Sequence, residues 1–229
     1  MLLLSNLVVG YPQRILISDI SVQVEAGSFI ALLGINGIGK STLLKTISGL
    51  QKPISGRVMF TGKNIHTLSP ETRSSAVTIA GIERAFVPFM SVREFVHLGR
   101  FRFENVFSFH KNVDFTDSII SLLGMQNIAH RPLHAISDGE RQKAIIGRAL
   151  AQNTPLLLLD EPTAFLDYKN KLLVFRLLRE IALCEKKTIL VSTHDLEEAF
   201  QLCVSFWWID ENRKFHVYQS PQILKTLLK

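Results

Sequence analysis

Apolar and polar positions alternate through Leu2 to Val9 and again through Ser21 to Glu25, which predicts strands with one covered face. The uninterrupted apolar run Phe29 to Leu33 then ends in glycine, as a strand buried on both faces does before a tight turn. A helix is expected over Ser41 to Ser48, and the breakers Pro53 and Gly56 mark a turn into another short strand at Arg57 to Phe60. From about Ser69 to His134 the pattern changes to short helical spacings, in Val92 to Leu98 and Phe115 to Leu123, broken by Gly99, Gly124 and Pro132. Beyond it, the runs Leu156 to Leu159 and Thr188 to Ser192 flank a helical stretch at Lys169 to Leu183, the alternation of a parallel sheet. The pattern as a whole predicts an α/β chain: a parallel-sheet core, an antiparallel sheet near the N-terminus, and a helical subdomain inserted between them.

At 229 residues and 47% hydrophobic, the chain can fill a sizeable core, and disorder is not expected. Its longest purely aliphatic runs are far shorter than the roughly 20 residues that cross a bilayer. The opening MLLLSNLVVG has neither a basic leader nor a small-residue cleavage site, and reads as a first strand. Cys184 and Cys203 make no disulfide framework; both have apolar neighbours and are expected to be small buried hydrophobes in a reducing compartment. The net charge of +6 suits an anionic partner, yet the basic residues are scattered and no nucleic-acid-binding module is apparent.

The chemistry is concentrated in three places. Gly34-Ile35-Asn36-Gly37-Ile38-Gly39-Lys40-Ser41-Thr42 fits the phosphate-loop pattern in full and sits between a predicted strand and helix. Such glycines let backbone amides converge on phosphate oxygens at the positive end of a helix, with Lys40 meeting the β and γ phosphates and the Ser41 hydroxyl ligating magnesium. The run Leu156 to Asp160 ends in a carboxylate rigidly placed for a metal, followed at once by Glu161, which can polarise a water. Ser137-Asp138-Gly139-Glu140 has the spacing of a helix capping box, and a capped helix start with a serine hydroxyl is also suited to an anion.

The order of phosphate loop, ISDGE, LLLLDEP, Asp167 and then Ser192-Thr193-His194-Asp195 resembles the ATP-binding cassette (ABC) ATPases of ABC transporters over nearly the whole chain. The resemblance implies the ABC ATPase fold, a single domain over residues 1–229 with a helical subdomain at approximately 69–150, ATP and Mg2+ as cofactors, and hydrolysis between two copies of the chain. By position it implies Glu161 as base for the attacking water, His194 on the γ phosphate, and Asp167 in communication across the dimer. Tyr11 lies where the family stacks an aromatic on adenine, a plain turn aromatic being the alternative. Ser137, Gly139 and Glu140 would serve the partner's ATP, although Asp138 and Glu140 replace the family's glycine and glutamine.

A second departure lies at the family's magnesium-reaching glutamine, which falls by rough alignment at Ile82 or Glu83; Glu83 is an acidic candidate ligand whose charge would oppose the triphosphate. The segment Val92 to Lys111 interleaves aromatics with Arg100, Arg102 and Lys111, the composition either of a buried subdomain or of a permease contact. Short matches at Val92 to Val96 and Leu98 to Arg100, together with SDGERQ and DEPTAFLD, are most similar to ATPases of importers for iron chelates, haem and cobalamin. The implied partners are a second copy, transmembrane permease subunits and a periplasmic or surface substrate-binding protein acting through them, with no nucleic acid. The implied location is peripheral, on the cytoplasmic side of the membrane. A soluble assembly ATPase, as in iron-sulfur cluster building, and a nucleotide-binding scaffold without hydrolysis remain as alternatives.

Overall fold

The computed structural model describes residues 1–81, 89–103 and 109–227. Strands β1 (Leu2–Tyr11), β2 (Arg14–Val24) and β3 (Phe29–Leu33) lead into helix α1 (Lys40–Ile47), followed by β4 (Ser55–Phe60) and β5 (Lys63–Asn64). Then come α2 (Pro70–Ala76), β6 (Val77–Ala80), α3 (Val92–His97), α4 (Phe109–Leu122) and α5 (Asp138–Ala151). The chain continues through β7 (Leu156–Asp160), α6 (Tyr168–Cys184), β8 (Thr188–Ser192), α7 (Leu196–Leu202), β9 (Ser205–Ile209), β10 (Phe215–Tyr218) and α8 (Pro221–Leu227).

Two sheets result. The first is antiparallel, ordered β2-β1-β4-β5; the second, ordered β10-β9-β3-β8-β7-β6, is parallel except for the antiparallel edge strand β10. Every residue of β3 and β8 is buried, because each face of the second sheet carries its own apolar layer. On one face Phe29, Ala31, Leu157, Leu159, Phe175 and Phe206 pack with α3, α5 and α6; on the other Ile30, Leu32, Leu158 and Trp207 meet α1 and the antiparallel sheet. Strands β3, β8 and β7 are neighbours, so their C-terminal ends open at one edge, where ligands bind in parallel α/β sheets.

The expected α/β organisation is present, with three differences. Val77–Ala80, inside the stretch read as helical, is a strand that pairs in parallel with β7 and belongs to the core sheet. β2 begins at Arg14 rather than Ser21, since it pairs along β1 from Tyr11 back to Leu2. Cys203 is buried as expected, but Cys184 is exposed, because it ends α6 on the solvent side.

The helical part is held by specific caps. Ser91 and Glu94 form a capping box at α3, and Arg93 makes a two-pronged pair with Asp117 of α4 at 2.7 and 2.6 Å. In the aromatic-basic segment Phe95 is buried and Phe101 is 72% exposed. Arg100 turns inward instead, its guanidinium 4.8 Å from the Phe115 ring centre. Ile82 and Glu83 lie outside the described residues, as do the side chains of Arg102 and Lys111.

Candidate functional site

The phosphate loop leaves β3 through Gly34, whose φ of 150° and close approach to β9 exclude a side chain: a Cβ there would meet the Ile209 carbonyl oxygen at 2.9 Å. Gly39 takes a φ of 124° and starts α1 directly, with no side-chain cap at that helix start. The first amides of α1 therefore face the cleft unpaired by any cap, the arrangement that accepts phosphate. Lys40 is 6% exposed, and its ammonium binds the loop's own carbonyls, Gly34 O at 2.6 Å and Ile35 O at 3.3 Å. Burial lowers its pKa, while Glu161 and Asp160 oppose the shift.

At the end of β7, Asp160 is fixed by the Ser192 hydroxyl, which donates to Oδ1. The same hydroxyl accepts from the Glu161 amide at 3.0 Å, and that amide also reaches Ser192 O at 3.1 Å. Glu161 itself has a φ of 50°, a left-handed conformation costly for a residue with a Cβ and frequent where a functional side chain is re-aimed. Burial pushes its carboxyl above the usual range; His194 and Lys40 pull it down, and Asp160 and Asp195 add to the rise. Its Oε1 is buried and makes no hydrogen bond.

His194 follows β8. Its Nε2 lies 2.7 Å from Asn36 Oδ1, 3.0 Å from Glu161 Oε1 and 3.3 Å from Lys40 Nζ. Because a single Nε2–H serves one acceptor and Asn36 holds the shorter distance, the 3.0 Å approach to Glu161 is a close contact beside that bond. One ring nitrogen thus touches the phosphate loop and the strand-end carboxylate together.

Lys40, Asp160 and Glu161 share a cleft of about 280 Å³ with Tyr11, Arg14, Leu16, Asn36, Gly37, Gly39, Ser41 and Thr42. Tyr11 stands at its mouth, 53% exposed, as an unburied ring at the end of β1. Arg14 and Leu16 carry no motif; the hairpin that pairs Tyr11 with Arg14 brings them in, because β2 starts well before its alternating stretch at Ser21. Ser41 and Asp160 put a hydroxyl and a carboxylate in one cleft, an oxygen donor set that fits a magnesium ion completing its shell with water and phosphate. Among the described residues no cluster of three or more His, Cys, Asp or Glu forms a metal cage, as such a mostly hydrated ion requires none.

Ser137, Gly139 and Glu140 are not in that cleft. Together with Asp167, Phe165, Asn170 and Lys143 they line a separate one of about 570 Å³. The capping box is complete: Ser137 Oγ accepts from the Glu140 amide at 3.2 Å, and the Glu140 carboxylate takes the Ser137 amide at 2.8 Å and its hydroxyl at 2.9 Å. Those bonds hold the Glu140 carboxyl below its ordinary range. Asp138 is neutralised by Arg141 at 2.9 Å, and a Cβ on Gly139 would lie 3.1 Å from the Phe165 carbonyl oxygen. Asp167 caps α6 through the Asn170 amide at 2.9 Å.

A family model described as ABC transporter matches residues 17–164. An ABC transporter ATP-binding protein of Methanocaldococcus jannaschii is 36% identical over 224 residues, 97% of this chain and 77% of the relative. The chain belongs to the ABC transporter family. The iron(3+)-hydroxamate import ATP-binding protein of Bacillus subtilis is 36% identical to this ABC ATPase over 193 residues, covering 83% of the chain and 72% of the relative. A solved metal-chelate type ABC transporter in an inward-facing conformation superposes with a TM-score of 0.81 at 26% identity, covering 97% of this chain and 84% of that one. Membership makes the chain an ATP-hydrolysing enzyme, the cassette component of a transport machine. Among the described residues no helix is long and apolar enough to cross a membrane.

Proposed function

We propose that this ABC ATPase energises import of a metal-chelate type substrate, such as an iron-siderophore, haem or cobalamin, through a separate membrane permease. The observation that carries the chemical part is the meeting of Lys40, Glu161 and His194 around one ring nitrogen at the C-terminal edge of the parallel sheet. In this reading Tyr11 stacks on adenine, while the amides of Gly37 and Gly39 and the Lys40 ammonium take the phosphates, with Asn36 and Thr42 beside them. Ser41 and Asp160 would hold Mg2+, which when bound supplies positive charge against the β and γ phosphates.

Glu161 accepts the proton of the attacking water. The rise in its pKa makes it a better proton acceptor than an ordinary carboxylate. His194 contacts the γ phosphate. Because the serine cleft is separate from the lysine cleft, Ser137, Gly139 and Glu140 are assigned to ATP on a second copy, with Asp167 beside them across the interface. A homodimer with two sandwiched ATP molecules follows.

The exposed ring of Phe101, next to the subdomain helices, supports a permease contact in the segment Val92 to Lys111. The chain would then sit peripherally on the cytoplasmic side of the membrane, with a substrate-binding protein acting through the permease. Co-purification from detergent-solubilised membranes tests the reading. A permease carrying a metal chelate is the expected result, and recovery with soluble partners alone would sink it in favour of an assembly ATPase.

A further inference from the structure

Asp195 occupies the N-cap position of α7 but does not cap that helix. An aspartate there ordinarily accepts a hydrogen bond from an amide of its own first turn. Here the carboxylate is directed elsewhere. Oδ2 accepts the hydroxyl of Thr163 at 2.6 Å, and Oδ1 pairs with the ammonium of Lys171. Thr163 is fully buried, two residues beyond Glu161, and Lys171 stands on α6, whose N-cap is Asp167. The pair is largely sheltered, with side-chain exposures of 26% for Lys171 and 17% for Asp195.

The three tethered segments each carry one part of the proposed site: Glu161 precedes Thr163, His194 precedes Asp195, and Asp167 begins the helix of Lys171. The backbone around Asp195 is further fixed by its own amide, which donates to Thr193 Oγ1 at 3.0 Å, and by the Thr193 amide, which reaches Leu32 O at 3.3 Å. The lost cap is thus replaced by a tie between the ends of β7 and β8 and the helix entering the second cleft. Accepting the hydrolytic reading above, we propose that Lys171 and Thr163 are positioning residues that clamp Asp195 and thereby set His194 against Glu161. Neither touches the nucleotide.

The test is steady-state ATP hydrolysis by the full chain, comparing wild type with Lys171→Met, Lys171→Arg, Thr163→Val and the Lys171→Met/Thr163→Val double variant. Misplacement of a catalytic pair predicts a kcat for Lys171→Met lower by about 10- to 100-fold with the KM for ATP unchanged. Lys171→Arg should recover most of the rate, and the double variant should be little worse than either single one.

A wild-type kcat in Lys171→Met would overturn the clamp. So would equal losses in the Met and Arg variants, or a KM for ATP that rises as kcat falls, the outcome of a merely structural lysine. If Lys171→Met does not fold, Thr163→Val decides by the same kcat-against-KM split. Glu161→Gln is run beside them: wild type no faster than that variant would sink the hydrolytic reading itself and the clamp with it, whereas a large gap between the two isolates any failure to the clamp.

Discussion

Replacing Ser192 by alanine should damage both stability and catalysis, although serine at that position looks like no more than the end of a strand. Its hydroxyl is fully buried and makes two bonds, donating to the Asp160 carboxylate and accepting from the Glu161 amide. A hydrogen bond to an ionised group contributes about 1.5–3 kcal/mol and a neutral one about 0.5–1.5 kcal/mol. The Glu161 amide keeps its second acceptor, Ser192 O at 3.1 Å, so the neutral bond counts at its low end. The total loss is then about 2–4 kcal/mol, which in a chain of 229 residues lowers Tm by about 5–15 °C. Circular dichroism melts without nucleotide read this directly. ATPase assays below the new Tm should also show a raised magnesium requirement, since Asp160 loses the bond that orients it. A Tm within about 1 °C of wild type, at the low edge of what one lost bond gives, would refute the reasoning.

Glu161→Gln should slow hydrolysis by roughly 100-fold or more while ATP still binds, as seen by comparing single-turnover rates with equilibrium nucleotide binding. In wild type the acid limb of kcat should lie above the ordinary glutamate value of 4.5, because burial raises the Glu161 pKa. For stability the sign is the same as for any carboxyl with a raised folded pKa: the folded state holds the proton longer, so stability falls as pH rises between 4.5 and the raised value. Tyr11→Ala should weaken ATP binding by about 5- to 150-fold, the equivalent of about 1–3 kcal/mol of stacking, and Tyr11→Phe should restore it in a fluorescent-nucleotide titration. Ser137→Ala should cost about 1 kcal/mol through the lost cap of α5 and abolish ATP-driven dimerisation in size-exclusion chromatography, with monomer binding of ATP intact.

The central strands were legible because both their faces are buried: Phe29 to Leu33 and Leu156 to Leu159 are apolar without a break. β6 was not, since four residues including the buried polar Thr78 give no run; its hydroxyl is satisfied by Thr154 at 2.8 Å, a contact 76 residues away that no local pattern reports. The phosphate loop, Asp160, Glu161 and His194 were readable as motifs, and the sheet order explains their convergence. Arg14 and Leu16 entered the cleft only through hairpin pairing. The diversion of the Asp195 carboxylate was equally hidden, because an aspartate before a helix reads as a cap. In the turn Ser137-Asp138-Gly139-Glu140 the structure answers each carboxylate, Asp138 through Arg141 and Glu140 through the capping box.

The ammonium of Lys40 is already occupied by two carbonyls of its own loop. Any anion entering must therefore win that lysine from an internal competitor before gaining its charge. A lone phosphate offers little in exchange, whereas a polyphosphate chain reaches the loop amides, the lysine and the serine hydroxyl at once. The loop geometry therefore rewards the length of a phosphate chain over its charge alone.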